Sequence, residues 1–137
     1  MDIMDRLKGP RRNLPIGIQS FERLRRDGYL YVDKTAFVYE LASTGNPYFL
    51  SRPRRFGKSL LLSTLEAYFC GKKELFEGLA IEQLETEWNE HAVLHLDLNA
   101  EDYSEIEGLR NGLELQLRSW EKVYGTSEEG LSYSGRF

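Results

Sequence analysis

The sequence predicts an α/β fold: a partial parallel sheet flanked by helices, built around a phosphate-binding loop and truncated before the sheet is complete. Three observations predict it. Two short apolar runs, YFLS (48–51) and AVLHLDL (92–98), read as buried strands. Helical periodicities alternate with them, the order expected of βαβ units. The segment SRPRRFGKS (51–59) joins the first run to a helix and ends in Gly57-Lys58-Ser59, the closing triplet of the phosphate-loop pattern G-x-x-x-x-G-K-[ST].

The bulk numbers suit one domain, or part of one. The chain has 137 residues, 41% hydrophobic, 12% aromatic and 29% charged, enough apolar material for a packed core. No window approaches the roughly 18 uninterrupted apolar residues of a membrane span, and MDIMDRLKGPRR has no apolar core of a secretory signal. Cys70 is the sole cysteine, so no internal disulfide forms and a reducing, cytoplasmic location is expected. With only His91 and His95 beside it, and no CxxC or HExxH, a structural zinc or metalloprotease site is not expected. The net charge of −4 hides an asymmetry. Residues 1–72 carry 13 Lys/Arg against 7 Asp/Glu, and residues 73–137 carry 5 against 15. Such a globally acidic chain is a poor general nucleic-acid binder. Its basic half is either a local anion site or an ordinary solvated face.

Taken in order, residues 1–13 read as a flexible leader running into a Pro-bounded turn. Ser20 is an N-cap for a short helix, FERLRRDG, that Gly28 stops. YLYV (29–32) is β-type. Asp33 caps a second helix, roughly 34–43, ended by Gly45-Asn46-Pro47. After the YFLS strand comes a helix from Lys58 to Cys70, with Leu61, Leu65 and Tyr68 on one stripe, Leu62 and Phe69 on another, and Gly71 closing it. A polar, irregularly helical stretch (73–90) leads to the second strand. An acidic loop follows, then an amphipathic helix of about 104–124, where Ile106, Leu109, Leu113, Leu117, Trp120 and Tyr124 recur at three- and four-residue steps. The tail, TSEEGLSYSGRF, is polar. Two strands are too few for a whole sheet, and truncation explains the shortage.

The loop needs a strand before it and a helix after it to bind phosphate. Its consecutive N–H groups, with the free donors and positive dipole end of the helix, form an anion cradle. Pro53, Arg54, Arg55, Phe56, Gly57, Lys58, Ser59 and Leu60 are the candidate nucleotide-binding residues. Lys58 is positioned for the β- and γ-phosphates, and the Ser59 hydroxyl for Mg²⁺. Arg52 stands where the pattern has its first glycine. Pro53 presets the turn in its place and pushes Arg52 towards extended backbone. Arg54 and Arg55 contact phosphate, face solvent or meet a partner domain. A chance Gly-Lys-Ser at a helix start is the bland alternative.

The run SRPRRFGKSLLLSTLEAYFCGKKELFEGLAI (51–81), with LPIGIQSFERLRRDGYLYVDKTAFVYELA (14–42) and HLDLN (95–99), closely resembles the bacterial AAA-ATPase-like family. The resemblance runs from about residue 14. In that family the loop itself reads RPRRFGKS, so Arg52 is no departure. The resemblance implies residues 14–137 as the N-terminal part of a P-loop ATPase domain with ATP and Mg²⁺ as cofactors. It further implies a C-terminal nuclease domain of the PD-(D/E)XK type, absent from this chain, as a partner, with nucleic acid reached only indirectly.

VLHLD (93–97) raises Asp97 as a second Mg²⁺ residue, a Walker B acid. Against it, His95 interrupts the strand and no carboxylate follows. The family's own Asp-Glu strand lies beyond residue 137, so HLDLN matches an intermediate strand, and Asp97 otherwise caps a loop. Nucleotide binding is therefore expected of this chain, and hydrolysis only of an intact protein; no catalytic residue is assigned. The other reading is a non-catalytic remnant that binds a protein or nucleic acid through its basic loop. An incompletely folded fragment is a third. Tyr31, Asp33 and Lys34 read as packing and capping residues, Trp88 and Trp120 as core, and Cys70 as a small hydrophobe.

Overall fold

The computed structural model describes residues 12–98 and 105–125. The chain divides into two compact units, Met1–His91 and Ala92–Phe137. The predicted leader falls largely, and the predicted tail wholly, outside the described residues.

Among the described residues, the first unit holds four α-helices: α1 (Phe21–Arg26), α2 (Thr35–Thr44), α3 (Lys58–Phe69) and α4 (Ala80–Leu84), with a 3₁₀ turn at Lys73–Phe76 between the last two. Local chemistry sets most of their ends. Ser20 Oγ accepts from the Arg23 amide at 3.3 Å and caps α1. At its other end Gly28 (φ 70°) turns left-handed, its amide donating to Arg25 and that of Tyr29 to Leu24. Helix α3 ends the same way: Gly71 (φ 68°) donates to Tyr68, and Lys72 to Ala67. Both are Schellman closures, which need the left-handed conformation that glycine adopts without penalty.

The core of this unit is aromatic. Helix α1 packs on α3, and α2 on α4. Phe21 and Phe76 are fully buried with ring centroids 4.8 Å apart. Phe76 meets Trp88 at 5.2 Å, and Tyr31 meets Phe21 at 5.4 Å. Truncating Phe21 or Phe76 to Ala would cost about 3–5 kcal/mol. Polar groups pin the packing. The Phe21 amide donates to Ser63 Oγ at 2.8 Å, joining α1 to α3. Arg25 donates Nε to the Leu75 carbonyl (2.8 Å) and a terminal nitrogen to that of Glu77 (2.6 Å). Lys34, not Asp33, occupies the N-cap position of α2 and makes no side-chain capping bond; Asp33, one residue earlier, supplies the acceptor. Its carboxylate accepts from the Thr35 amide and hydroxyl and from the Ala80 amide, so one side chain starts both α2 and α4.

The second unit holds α5 (Ile106–Tyr124). Residues 92–98 have no regular structure and run beside it in the opposite direction, Val93 near its end and Asp97 near its middle. Tyr124 Oη takes the Val93 amide at 3.1 Å, and the Gln116 side chain brackets Asp97, accepting from its amide at 3.0 Å and donating to its carbonyl at 2.6 Å. The spacing matches: four residues at full strand extension span about 13 Å, and eight helical residues about 12 Å.

The predicted parallel-sheet α/β fold is therefore not what the chain adopts: the described residues form α-helices, one 3₁₀ turn and no strand. The physical reason lies in the two apolar runs. Neither has a neighbouring strand among the described residues, and a strand without a ladder has nothing to bury its faces. Phe49 is 93% exposed, Leu50 43% and Leu94 43%. Helix α3 packs the predicted stripe of Leu61, Leu65 and Tyr68 against the core, but its most deeply buried residues are smaller. Thr64 and Ala67 face fully inward, with Leu61, Leu65 and Tyr68 half-buried and Leu62 exposed. No helix among the described residues is long and apolar enough to cross a membrane.

A candidate phosphate-binding loop

The helix that predicts a phosphate site is present; the buried strand before it is not. From the left-handed Gly45 the chain runs exposed and without regular structure to Pro53, turns at Arg54-Arg55 and bends at Phe56-Gly57 into α3. Two residues of the turn are left-handed, Arg55 (φ 66°) and Gly57 (φ 78°). Arg55 pays for that conformation, since a side chain there costs about 1 kcal/mol or more. Gly57 does not, and a Cβ built on it meets nothing within 4 Å. The αL residue Gly57 serves as the N-cap of α3, its carbonyl accepting from Leu61 at 2.9 Å. Having no side chain, it makes no capping bond, so the first-turn amides of Lys58, Ser59 and Leu60 stay available to an incoming acceptor.

The charge around this open end is one-sided. Arg52, Arg54, Arg55 and Lys58 lie within seven residues, and no Asp or Glu occurs between Glu40 and Glu66. The three arginines, Pro53, Phe56 and Ser59 are exposed; Lys58 and Leu60 are half-buried. Lys58 Nζ folds back over the loop and donates to the Arg52 carbonyl at 2.6 Å. That contact was not foreseen, although a lysine six residues after an arginine in a reversing loop is placed to make it. The acceptor is a neutral carbonyl, which binds an ammonium less strongly than an anionic oxygen does.

The eight predicted loop residues thus form one continuous segment. For a metal ion the protein supplies less. No group of three His, Cys, Asp or Glu among the described residues could hold one, and the Ser59 hydroxyl is exposed at the start of α3. Asp97 belongs to the second unit, where its backbone is tied to Gln116.

Beneath the loop, α3 is anchored by residues that the motif does not include. Thr64 is buried, with its hydroxyl on the Leu60 carbonyl at 2.7 Å, and Ser63 receives the α1 amide. Tyr31, whose hydroxyl burial pushes above its ordinary pKa, bonds Thr64 and packs on Phe21. The packing role of Tyr31 is the one the sequence suggested, and Asp33 supplies its acceptor from one residue before the cap position. Those of Arg25, Ser63 and Thr64 had no signal, because each depends on what α1 lies against.

Comparison with known proteins places this geometry in a family. The family described as "Predicted AAA-ATPase" matches residues 15–137. An uncharacterized protein in the vnfD 5′ region of Azotobacter chroococcum mcd 1 is 47% identical over 103 residues, covering 72% of this chain and 20% of that protein. The chain thus spans about one fifth of the relative's length. No solved structure matches. A match over nearly the whole described chain, including the loop, α3 and α5, means that this protein belongs to the AAA-ATPase-like family.

Proposed function

We propose that the chain binds Mg²⁺–ATP through residues 53–60, as the nucleotide-holding part of an ATPase whose hydrolytic groups lie elsewhere. The observation that carries this reading is the N-terminus of α3, which has no side-chain cap at Gly57 and carries Arg52, Arg54, Arg55 and Lys58 in a stretch of sequence without Asp or Glu. In it the Lys58, Ser59 and Leu60 amides receive phosphate oxygens. Lys58 exchanges the Arg52 carbonyl for phosphate, and Arg54 and Arg55 screen the remaining charge. The Ser59 hydroxyl is the protein's ligand to Mg²⁺, which when bound neutralises phosphate charge. Family membership supports nucleotide and Mg²⁺ use in general terms.

Calorimetry with Mg²⁺–ATP tests this. A saturable isotherm that disappears in Lys58→Ala, with melting unchanged, is the expected result. A folded wild-type sample that shows no heat of binding overturns the proposal. The exposed Phe56 beside three arginines gives a second reading some footing, as a surface for a protein or single-stranded nucleic acid. DNA binding that survives Lys58→Ala and falls steeply with salt would favour it.

A further inference from the structure

The far end of α3 carries a cavity that the phosphate loop does not use. It encloses about 250 Å³ and is walled by Tyr39 of α2, Tyr68 and Phe69 of α3, and Glu85, Glu87 and Trp88 from the segment after α4. The twelve residues of α3 put it roughly 15 Å from the loop, too far along the helix to be part of the same cradle.

Its chemistry is opposite to that of the loop. Tyr68 meets Trp88 at 5.8 Å and 68°, and Phe69 at 5.1 Å and 69°, both edge-type contacts among residues that line the cavity. His91 closes one side, edge-on to Phe69 at 5.8 Å, with its amide fixed to the Phe69 carbonyl at 2.7 Å. The two carboxylates differ. Glu85 accepts from the Tyr68 hydroxyl and from the Glu87 amide, and both bonds hold it in its ionised form. The exposed Glu87 carboxylate makes no hydrogen bond among the described residues and is available to a guest. No Lys or Arg lines the cavity. Aromatic side chains and carboxylates lining one concavity attract positive charge and repel anions. The volume lies just under the roughly 300–1,000 Å³ typical of drug-sized ligands, so the guest is small.

We propose that this cavity binds a small organic cation, an alkylammonium or guanidinium group, with Tyr68, Trp88 and Tyr39 around the charge and Glu87 as its counter-ion. The cation is either a free metabolite or the side chain of a basic peptide, and the two arms below separate these sources.

Two-dimensional NMR of the intact chain reads binding through the Trp88 indole resonance. The probes are choline, its uncharged isostere 3,3-dimethylbutanol, and a blocked Gly-Lys-Gly peptide. A saturable shift with choline at a Kd on the order of millimolar, and none with the isostere, is expected. Glu87→Gln should weaken binding about fivefold without lowering the melting temperature, and Lys58→Ala should leave it unchanged. A response to the peptide alone also supports the site and assigns its cation to a protein side chain. Equal binding of the isostere, no shift with either cation, or full affinity in folded Glu87→Gln would overturn the proposal.

Discussion

Replacing Asp33 tests how this small α-helical unit is held together. The carboxylate accepts three hydrogen bonds, from the Thr35 amide at 2.9 Å, the Thr35 hydroxyl at 2.6 Å and the Ala80 amide at 2.7 Å. The last spans 47 residues and fixes the start of α4 to the start of α2. Each bond to a charged acceptor contributes about 1.5–3 kcal/mol in a shielded setting. The side chain is exposed, so screening by water discounts the sum heavily, to about 2 kcal/mol for Asp33→Ala and about 1 kcal/mol for Asp33→Asn. For a chain of this size these correspond to melting shifts of roughly 6 °C and 3 °C. The acid limb of the pH dependence has a definite sign. Partial burial pushes the Asp33 pKa up, but the bonds from Thr35 and Ala80 outweigh it and hold the value below the ordinary one. A depressed carboxylate pKa means that the stabilisation is complete above the unfolded value and is lost as pH falls through the folded one. Thermal melts followed by circular dichroism at pH 7 and pH 3 should therefore show the gap between wild type and Asp33→Asn shrinking in acid. An Asp33→Asn protein as stable as wild type at pH 7, or a gap that widens in acid, would refute the reasoning.

Other substitutions probe separate contacts. Arg25→Ala removes donors from the Leu75 and Glu77 carbonyls and should lower stability by about 1–2 kcal/mol, seen as a lower urea midpoint. Arg25→Lys cannot span both carbonyls and should restore at most part of it. Gly71→Ala should cost about 1–2 kcal/mol, and more than Gly28→Ala. Both sites are left-handed, but a Cβ at Gly71 lies 2.8 Å from Glu90 Cγ, whereas at Gly28 it meets nothing within 4 Å. Equal melting temperatures for the two variants would contradict this. The Glu22–Lys72 pair, at 2.7 Å, lowers the Glu22 pKa chiefly through the lysine's hydrogen bond. Its two side chains are 36% and 40% exposed, so Glu22→Gln should cost under about 1 kcal/mol at pH 7 and nothing measurable in 1 M salt.

What could be read from the sequence is what the chain decides locally. Ser20 before an apolar-periodic stretch, and glycines at 28, 45 and 71 after one, marked real helix ends, because a cap or a left-handed closure involves only residues a few positions apart. Gly57-Lys58-Ser59 likewise marked the start of α3, since an open helix terminus and its charges are set by adjacent residues. The family, too, was legible in those strings. Tertiary structure decided the rest. YFLS and AVLHLDL have strand composition, but a strand exists only through a distant partner; the first stayed exposed and the second took its hydrogen bonds from Tyr124 and Gln116 of α5. On α3 the predicted stripe of Leu61, Leu65 and Tyr68 does meet the core, but which residues are most deeply buried, Thr64 and Ala67, was decided by the packing. The cation-attracting cavity is the extreme case. Tyr39, Tyr68 and Glu87 are ordinary residues in three separate segments, and only packing around α3 gives them one chemistry.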